Sequence, residues 1–203
     1  MPYIFKHVGY DHIVSLIKPN STVLDLGCGQ GDLLKILFTQ KNVQGTGIEL
    51  SEENILKCVK KGIPVIQGDI DEGLKEFKKH SYDYVILSHT LQVVRKQDFV
   101  LKEMARVGKH CIISFPNFAY WRIRFYLMFK GMMPKSKILP YEWYNTPNIH
   151  LSTIKDVVKL CHDNDIKIKK TIYLSRKKNS LKRRPNSLSN FFAEECIMVL
   201  QKP

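Results

Sequence analysis

Long apolar runs are missing from this chain of 203 residues. None approaches the roughly 18 consecutive apolar residues that a membrane-spanning helix requires. The N-terminus reads MPYIFKHVGYDH and lacks the basic-then-apolar order of a signal peptide. Cysteine is sparse and scattered, at positions 28, 58, 111, 161 and 196. An odd number of cysteines without a CxxC pair argues against a disulfide framework and against a structural zinc site, and no metal is expected. Buried thiols in a reducing cytoplasm are the expectation. Acid is absent from Ile166 to Ala193, where nine Lys or Arg residues stand alone. That stretch carries nine of the thirteen net positive charges, so the rest of the chain, 23 basic against 19 acidic residues, is nearly balanced.

The remaining composition is that of a globular protein, with 44% hydrophobic and 25% charged residues. The length suits one domain over 1–203. Short apolar runs alternate with helical patterns. Thr22–Leu26 is read as a strand, Leu33–Phe38 as a helix with one apolar face, and Val43–Leu50 as a strand. A helix capped by Ser51 follows, then a strand at Ile63–Gln67 and a short helix around Leu74. Tyr82–Ser88 and Cys111–Phe115 are strands, and Asp98–Val107 is a helix between them. Asp11 is read as the cap of a helix that ends before Pro19. This alternation predicts βαβ units and a parallel sheet. The tail differs: after a helix at Thr153–His162, strands at Ile166–Leu174 and Glu195–Leu200 follow one another without a helix pattern, which predicts an antiparallel pair. The fold class is therefore α/β, a Rossmann-like seven-stranded, mostly parallel sheet with a C-terminal antiparallel hairpin in a three-layer αβα arrangement.

The segment Asp25-Leu-Gly-Cys-Gly-Gln-Gly31 joins the first strand to the first βαβ helix. Its GxGxG spacing, with an acid two residues before the first glycine, differs from the GxGxxG of dinucleotide sites. A pyrophosphate at the helix N-terminus would be repelled by that acid, whereas a ligand ammonium would be welcomed. Glu49 ends the second strand, where a carboxylate can accept from both hydroxyls of a ribose. Asp69 follows the third strand, where an acid can take an exocyclic adenine amine. Ligands of open α/β sheets bind beyond the carboxyl ends of the strands, and all three acids fall there.

These residues resemble those of class I S-adenosylmethionine-dependent methyltransferases, over about residues 20 to 200. The resemblance implies S-adenosyl-L-methionine, or S-adenosyl-L-homocysteine, as the cofactor. It implies Asp25 at the methionine end, Gly27 and Gly29 along the ligand, Glu49 on the ribose and Asp69 on the adenine, with Cys28, Gly31, Leu50, Ile70 and Ser88 completing the site. A narrower resemblance lies in the second half. Tyr84-Val-Ile-Leu-Ser-His-Thr-Leu-Gln92, Ser114-Phe-Pro-Asn-Phe-Ala-Tyr-Trp-Arg122, Met133-Pro and Leu139-Pro-Tyr-Glu-Trp-Tyr-Asn-Thr-Pro-Asn-Ile-His150 look like the MetW family of methionine-biosynthesis proteins. The departures are His89, Ala119-Tyr120 and Asn145. The family resemblance implies homoserine O-acyltransferase as partner and a supporting role toward it. The alternative is an active methyltransferase on an unidentified acceptor.

Two segments stand apart. Residues 116–150 are rich in aromatics and prolines, with Trp121, Phe125, Met128 and Phe129 at helical spacing and Arg122 and Arg124 among them. They are read as a lid or docking insertion, because a long irregular segment inside a compact domain is usually functional. Residues 175–190 are read as an exposed basic loop. It lacks the interleaved aromatics of single-strand binders, so a solvated loop with no dedicated partner is read ahead of one that binds nucleic acid, an anionic membrane or an acidic partner, and neither nucleic acid nor membrane is the expected partner. His89, His150 and Tyr120 are the candidate bases, and no catalytic residue is assigned. Asn-Pro-Pro-Tyr, common in amino-group methyltransferases, is absent.

Overall fold

The computed structural model describes residues 4–136, 139–175, 178–181 and 187–201. Helix α1 (Ile4–Leu16) precedes β1 (Thr22–Leu26), α2 (Asp32–Lys41), β2 (Gln44–Glu49), α3 (Glu52–Lys60) and β3 (Val65–Gln67). A 3-10 turn at Ile70–Glu72 leads to β4 (Tyr82–Ser88), α4 (Gln97–Val107) and β5 (Gly108–Pro116). Then come α5 (Trp121–Lys130), α6 (Ile154–Asp163), β6 (Lys167–Ser175), β7 (Lys178–Leu181), α7 (Ser187–Phe192) and β8 (Glu195–Gln201). The strand order is β3-β2-β1-β4-β5-β8-β6-β7. Strands β1 to β5 run parallel, and β8 lies antiparallel to both β5 and β6.

The apolar runs read in the sequence become strands covered on both faces. Period-two alternation sends Leu24, Leu26, Val85, Leu87 and Ile113 to one face, where they meet Leu101 and Met104 of α4 and Val157 of α6. Val23, Ile86, Ile112 and Ile197 face the other way, onto Ile13 of α1 and Leu34 of α2. This is the three-layer αβα arrangement. All five cysteines are buried thiols.

The seven strands read in the sequence are all present, and beyond them Lys178–Leu181 adds a short strand that pairs with β6 at the edge of the sheet. Its Lys-Asn-Ser start carries no apolar signal. Three expectations need correction. The connection from β6 to β8 contains a helix, α7, six residues long and too short to show a period. Helix α1 begins before Asp11, which is therefore interior and not a cap. The helix expected around Leu74 is a 3-10 turn at Ile70–Glu72, capped by Asp69, with Leu74 buried behind it. The basic loop is thus partly strand and partly helix, while Arg176, Lys177 and Lys182–Arg184 lie outside the described residues.

One polar latch joins the amino-terminal ends of β1 and β4. The Asp83 carboxylate accepts from Thr22 N at 2.9 Å and Thr22 Oγ1 at 3.0 Å, and pairs with Lys109 Nζ at 2.8 Å. The Lys109 hydrogen bond, then the Thr22 amide, hold the Asp83 carboxyl down at about 2 from an ordinary 3.8. A lowered folded-state value means that the carboxylate stabilises the fold above about pH 4 and stops doing so as pH falls toward 2. Asp83→Asn should cost about 1–2 kcal/mol at pH 7, since the pair is partly exposed and its hydrogen bonds are charge-assisted. Urea titrations at pH 7 and at pH 2.5 should show the gap between variant and wild type closing in acid.

Candidate functional site

Parallel pairing brings the carboxyl ends of β1, β2, β3 and β4 to one edge of the sheet. The loop after β1 turns back over β2. Gly27 N and Cys28 N both donate to Ile48 O, at 2.8 and 3.1 Å. Gly27, Gly29 and Gly31 take left-handed φ values of 66°, 57° and 74°, which side chains with a Cβ resist. At Gly27 the approach is also close, since a Cβ would stand 2.6 Å from Thr90 Cγ2.

Glu49 locks this loop. Its carboxylate accepts from Gly29 N at 2.8 Å through one oxygen, and from Leu50 N at 3.1 Å and Ser51 N at 2.9 Å through the other. Asp69 caps the 3-10 turn by accepting from Asp71 N at 2.9 Å. Asp71 in turn accepts from Arg95 N at 3.1 Å and Lys96 N at 2.8 Å, which ties the loop after β4 to the loop after β3.

These loops enclose a cavity of about 360 Å³. Gly27, Glu49, Leu50, Asp69 and Ile70 form one side of it. Thr90, Val93, Val94, Arg95 and Ile149 contribute to the other. The size falls within the about 300–1,000 Å³ typical of small-molecule sites, and the mixture of apolar walls with a few acids matches their usual character. Five sequence-predicted residues therefore line one cavity together. The other five are not among its lining residues. Asp25 is in β1 and only 2% exposed. Cys28 is buried in the core on the α2 side, and burial, then the Asp25 charge, push its thiol well above the ordinary range. Gly29 offers its amide to Glu49, and Gly31 is the N-cap of α2. Ser88 Oγ lies 3.1 Å from Ser114 Oγ, and Ser88 O accepts from Thr90 Oγ1 at 3.0 Å.

None of the three candidate bases lines this cavity. His89, with φ 54°, turns to the C-terminal strands, where Nε2 lies 2.9 Å from Glu195 Oε1. Tyr120 meets Glu194 instead. His150 reaches the neighbourhood through its backbone, donating its N–H to Gln92 O at 3.0 Å. Sequence reasoning missed the far wall. Thr90 to Arg95 form an irregular loop and Ile149 arrives from a distant segment, so neither carries a periodic signal.

Known structures share this architecture at low sequence identity. A S-adenosylmethionine-dependent methyltransferase from Archaeoglobus fulgidus superposes with a TM-score of 0.70 at 17% identity, covering 100% of this chain and 95% of that one. A S-adenosylmethionine-dependent methyltransferase from Thermotoga maritima, described as a possible histamine N-methyltransferase, gives 0.66 at 18% identity over 100% and 91%. The cyclase SpnF gives 0.68 at 14% identity over 96% and 80%. The fold is thus the Rossmann-like fold of class I methyltransferases, and it also hosts other chemistry. Closer in sequence is the bifunctional methionine biosynthesis protein MetXA/MetW of Rhodopirellula baltica, 39% identical over 179 residues. That match takes in 84% of this chain but spans only 29% of the relative. The family model for methionine biosynthesis protein MetW matches residues 8–200. With a match of that extent, this chain belongs to the MetW family of methionine biosynthesis proteins.

Proposed function

We propose that this protein binds S-adenosylmethionine in the cavity at the ends of β1–β4 and supports homoserine O-acyltransferase in a cytoplasmic methionine pathway. The observation that carries the binding half is Glu49 and Asp69 facing one cavity of ligand size behind a glycine loop. A carboxylate has about four lone-pair sites, and Glu49 uses three on backbone amides, so it can still accept from a ribose. Asp69 uses one oxygen on the Asp71 amide, and its second is left for an exocyclic amine. When bound, the cofactor supplies an electrophilic methyl group on a sulfonium. The cavity is lined by three acids and Arg95, while His89, Tyr120 and His150 are not among its lining residues, so this reading gives the cavity the task of holding the cofactor and assigns no proton transfer to it.

The partner half rests on the fused Rhodopirellula relative, in which a MetW part shares one polypeptide with MetXA, and on an exposed apolar surface. Helix α5 leaves Phe125, Tyr126, Leu127, Met128 and Phe129 exposed, with Phe129 at 73% and stacked on Phe125. Trp143, 72% exposed, lies edge-on to Tyr144. Patches of this kind mark protein interfaces, and large aromatics supply most of their binding energy. From Asn117 to Tyr141 the sequence has five Lys or Arg and no acid, which suits a partner surface rimmed by carboxylates.

Assaying the acyltransferase with and without this protein tests the reading. Wild type should raise its activity and co-purify with it. Trp143→Ala should weaken the complex at least about tenfold, the range of an aromatic hot spot, while leaving cofactor affinity unchanged. Neither stimulation nor co-purification by the wild type would refute the partner half.

A further inference from the structure

Between α5 and the start of β8 lies a second cavity of about 190 Å³, which shares no lining residue with the first. Glu194, 8% exposed, is its buried acid. The backbone of Glu194 is fixed on both sides: its N–H donates to Leu174 O at 2.9 Å, and its carbonyl accepts from Asn117 N at 2.9 Å. The buried Tyr120 hydroxyl hydrogen-bonds the Glu194 carboxylate. Burial, then the Glu194 charge, raise the Tyr120 hydroxyl above its ordinary range and keep it a donor. Ile123, Tyr126 and Pro134 supply apolar wall.

The cations of this cavity stand at its rim. Arg122 and Lys135 line it and are exposed. Arg122 lies over the Trp121 ring at 5.2 Å, and Lys135 pairs with Glu142 at 2.6 Å. A guanidinium has five N–H donors and an ammonium three, so both can take a further acceptor. The polarity is therefore graded, with a negative floor beneath a positive mouth. A purely anionic ligand would meet Glu194, and a purely cationic one would meet the rim. A molecule carrying both charges a few bonds apart meets an opposite charge at both ends. The volume is below the about 300–1,000 Å³ of sites for drug-sized molecules, which limits the ligand to amino-acid size.

We propose that this cavity is a binding site for a small zwitterionic amino acid, its ammonium on Glu194 and its carboxylate on Arg122 and Lys135. The fixed backbone of Glu194 presets the site, so little ordering accompanies binding.

Ligand-observed NMR on the full chain tests this with glycine, L-serine and L-methionine as zwitterions of increasing size. Butyrate and n-butylamine serve as single-charge controls. At least one zwitterion should saturate at about 1 mM or below, the affinity expected of two such contacts. Both controls should bind at least tenfold more weakly. The double variant Arg122→Ala, Lys135→Ala should weaken the zwitterion at least fivefold without changing S-adenosylmethionine affinity, because neither residue lines the first cavity. Glu194→Gln should abolish binding. If that variant does not fold by circular dichroism, the double variant and the two controls decide alone, since Arg122 and Lys135 are exposed. Absence of saturation by all three zwitterions, a control that binds as well as they do, or affinity untouched in the double variant would overturn the assignment.

Discussion

Glu49→Ala should weaken S-adenosylmethionine binding about a hundredfold, equivalent to about 2.7 kcal/mol. The carboxylate has two tasks, and alanine performs neither. It is the acceptor proposed for the ribose hydroxyls, and hydrogen bonds to a charged group are worth about 1.5–3 kcal/mol each. It also holds the glycine loop, through Gly29 N at 2.8 Å, against the end of β2. Without it the cavity is no longer preset, and ordering the loop becomes part of the cost of binding. Glu49→Gln separates the tasks. The amide keeps one acceptor oxygen but turns an NH2 toward groups that themselves donate, so an intermediate loss of about tenfold is expected. Isothermal titration calorimetry measures both. Unchanged affinity in Glu49→Ala would remove the cofactor from this cavity.

Asn117→Asp should destabilise the fold by about 3–5 kcal/mol, the penalty of an uncompensated buried charge. Asn117 is 0% exposed and uses its whole amide. Nδ2 donates to Asn190 O and Ala193 O, both at 2.8 Å. Oδ1 accepts from Ala119 N at 3.1 Å and Ile154 N at 3.3 Å. One side chain thus joins the end of β5, the start of α6 and the residues around α7. Aspartate is the same size but points an oxygen at two carbonyl oxygens. It must either stay protonated, satisfying one of them, or break the junction. Burial against acceptors favours the neutral form, so the penalty should shrink as pH falls, opposite in sign to the acid loss expected at Asp83. The melting temperature should drop by about 10–15 °C at pH 7 for a chain of this size. A drop of under 2 °C would show that the four bonds are not holding these segments together.

The near side of the cavity was legible because its residues sit at ends of short strands and obey local rules. Thr22–Leu26 is a short, largely apolar strand, the glycines follow at once, Glu49 ends β2 and Asp69 follows β3. Parallel pairing alone then converges them. Asn117 shows the opposite case. Within Phe115-Pro-Asn-Phe118 it looks like a loop residue, and its four partners lie up to 76 positions away. Helix α7 was hidden for a related reason: its buried residues include Ser189 and Asn190, which carry no apolar period. The loop from Thr90 to Arg95 is set by what it touches, Gly27 and Asp71, and not by its own composition. The second cavity escaped because Tyr120, Lys135 and Glu194 come from three separate segments.

The placement of β8 has a consequence for biosynthesis. It inserts between β5 and β6, two strands that precede it in the chain. Until the ribosome has delivered residues beyond Glu195, β5 presents Cys111–Phe115 as an open apolar edge, the kind that recruits other strands. The parallel half can form early in translation, but its margin stays unprotected until the last strand slots in. A nascent chain stalled shortly before that point should therefore be the form that chaperones hold longest.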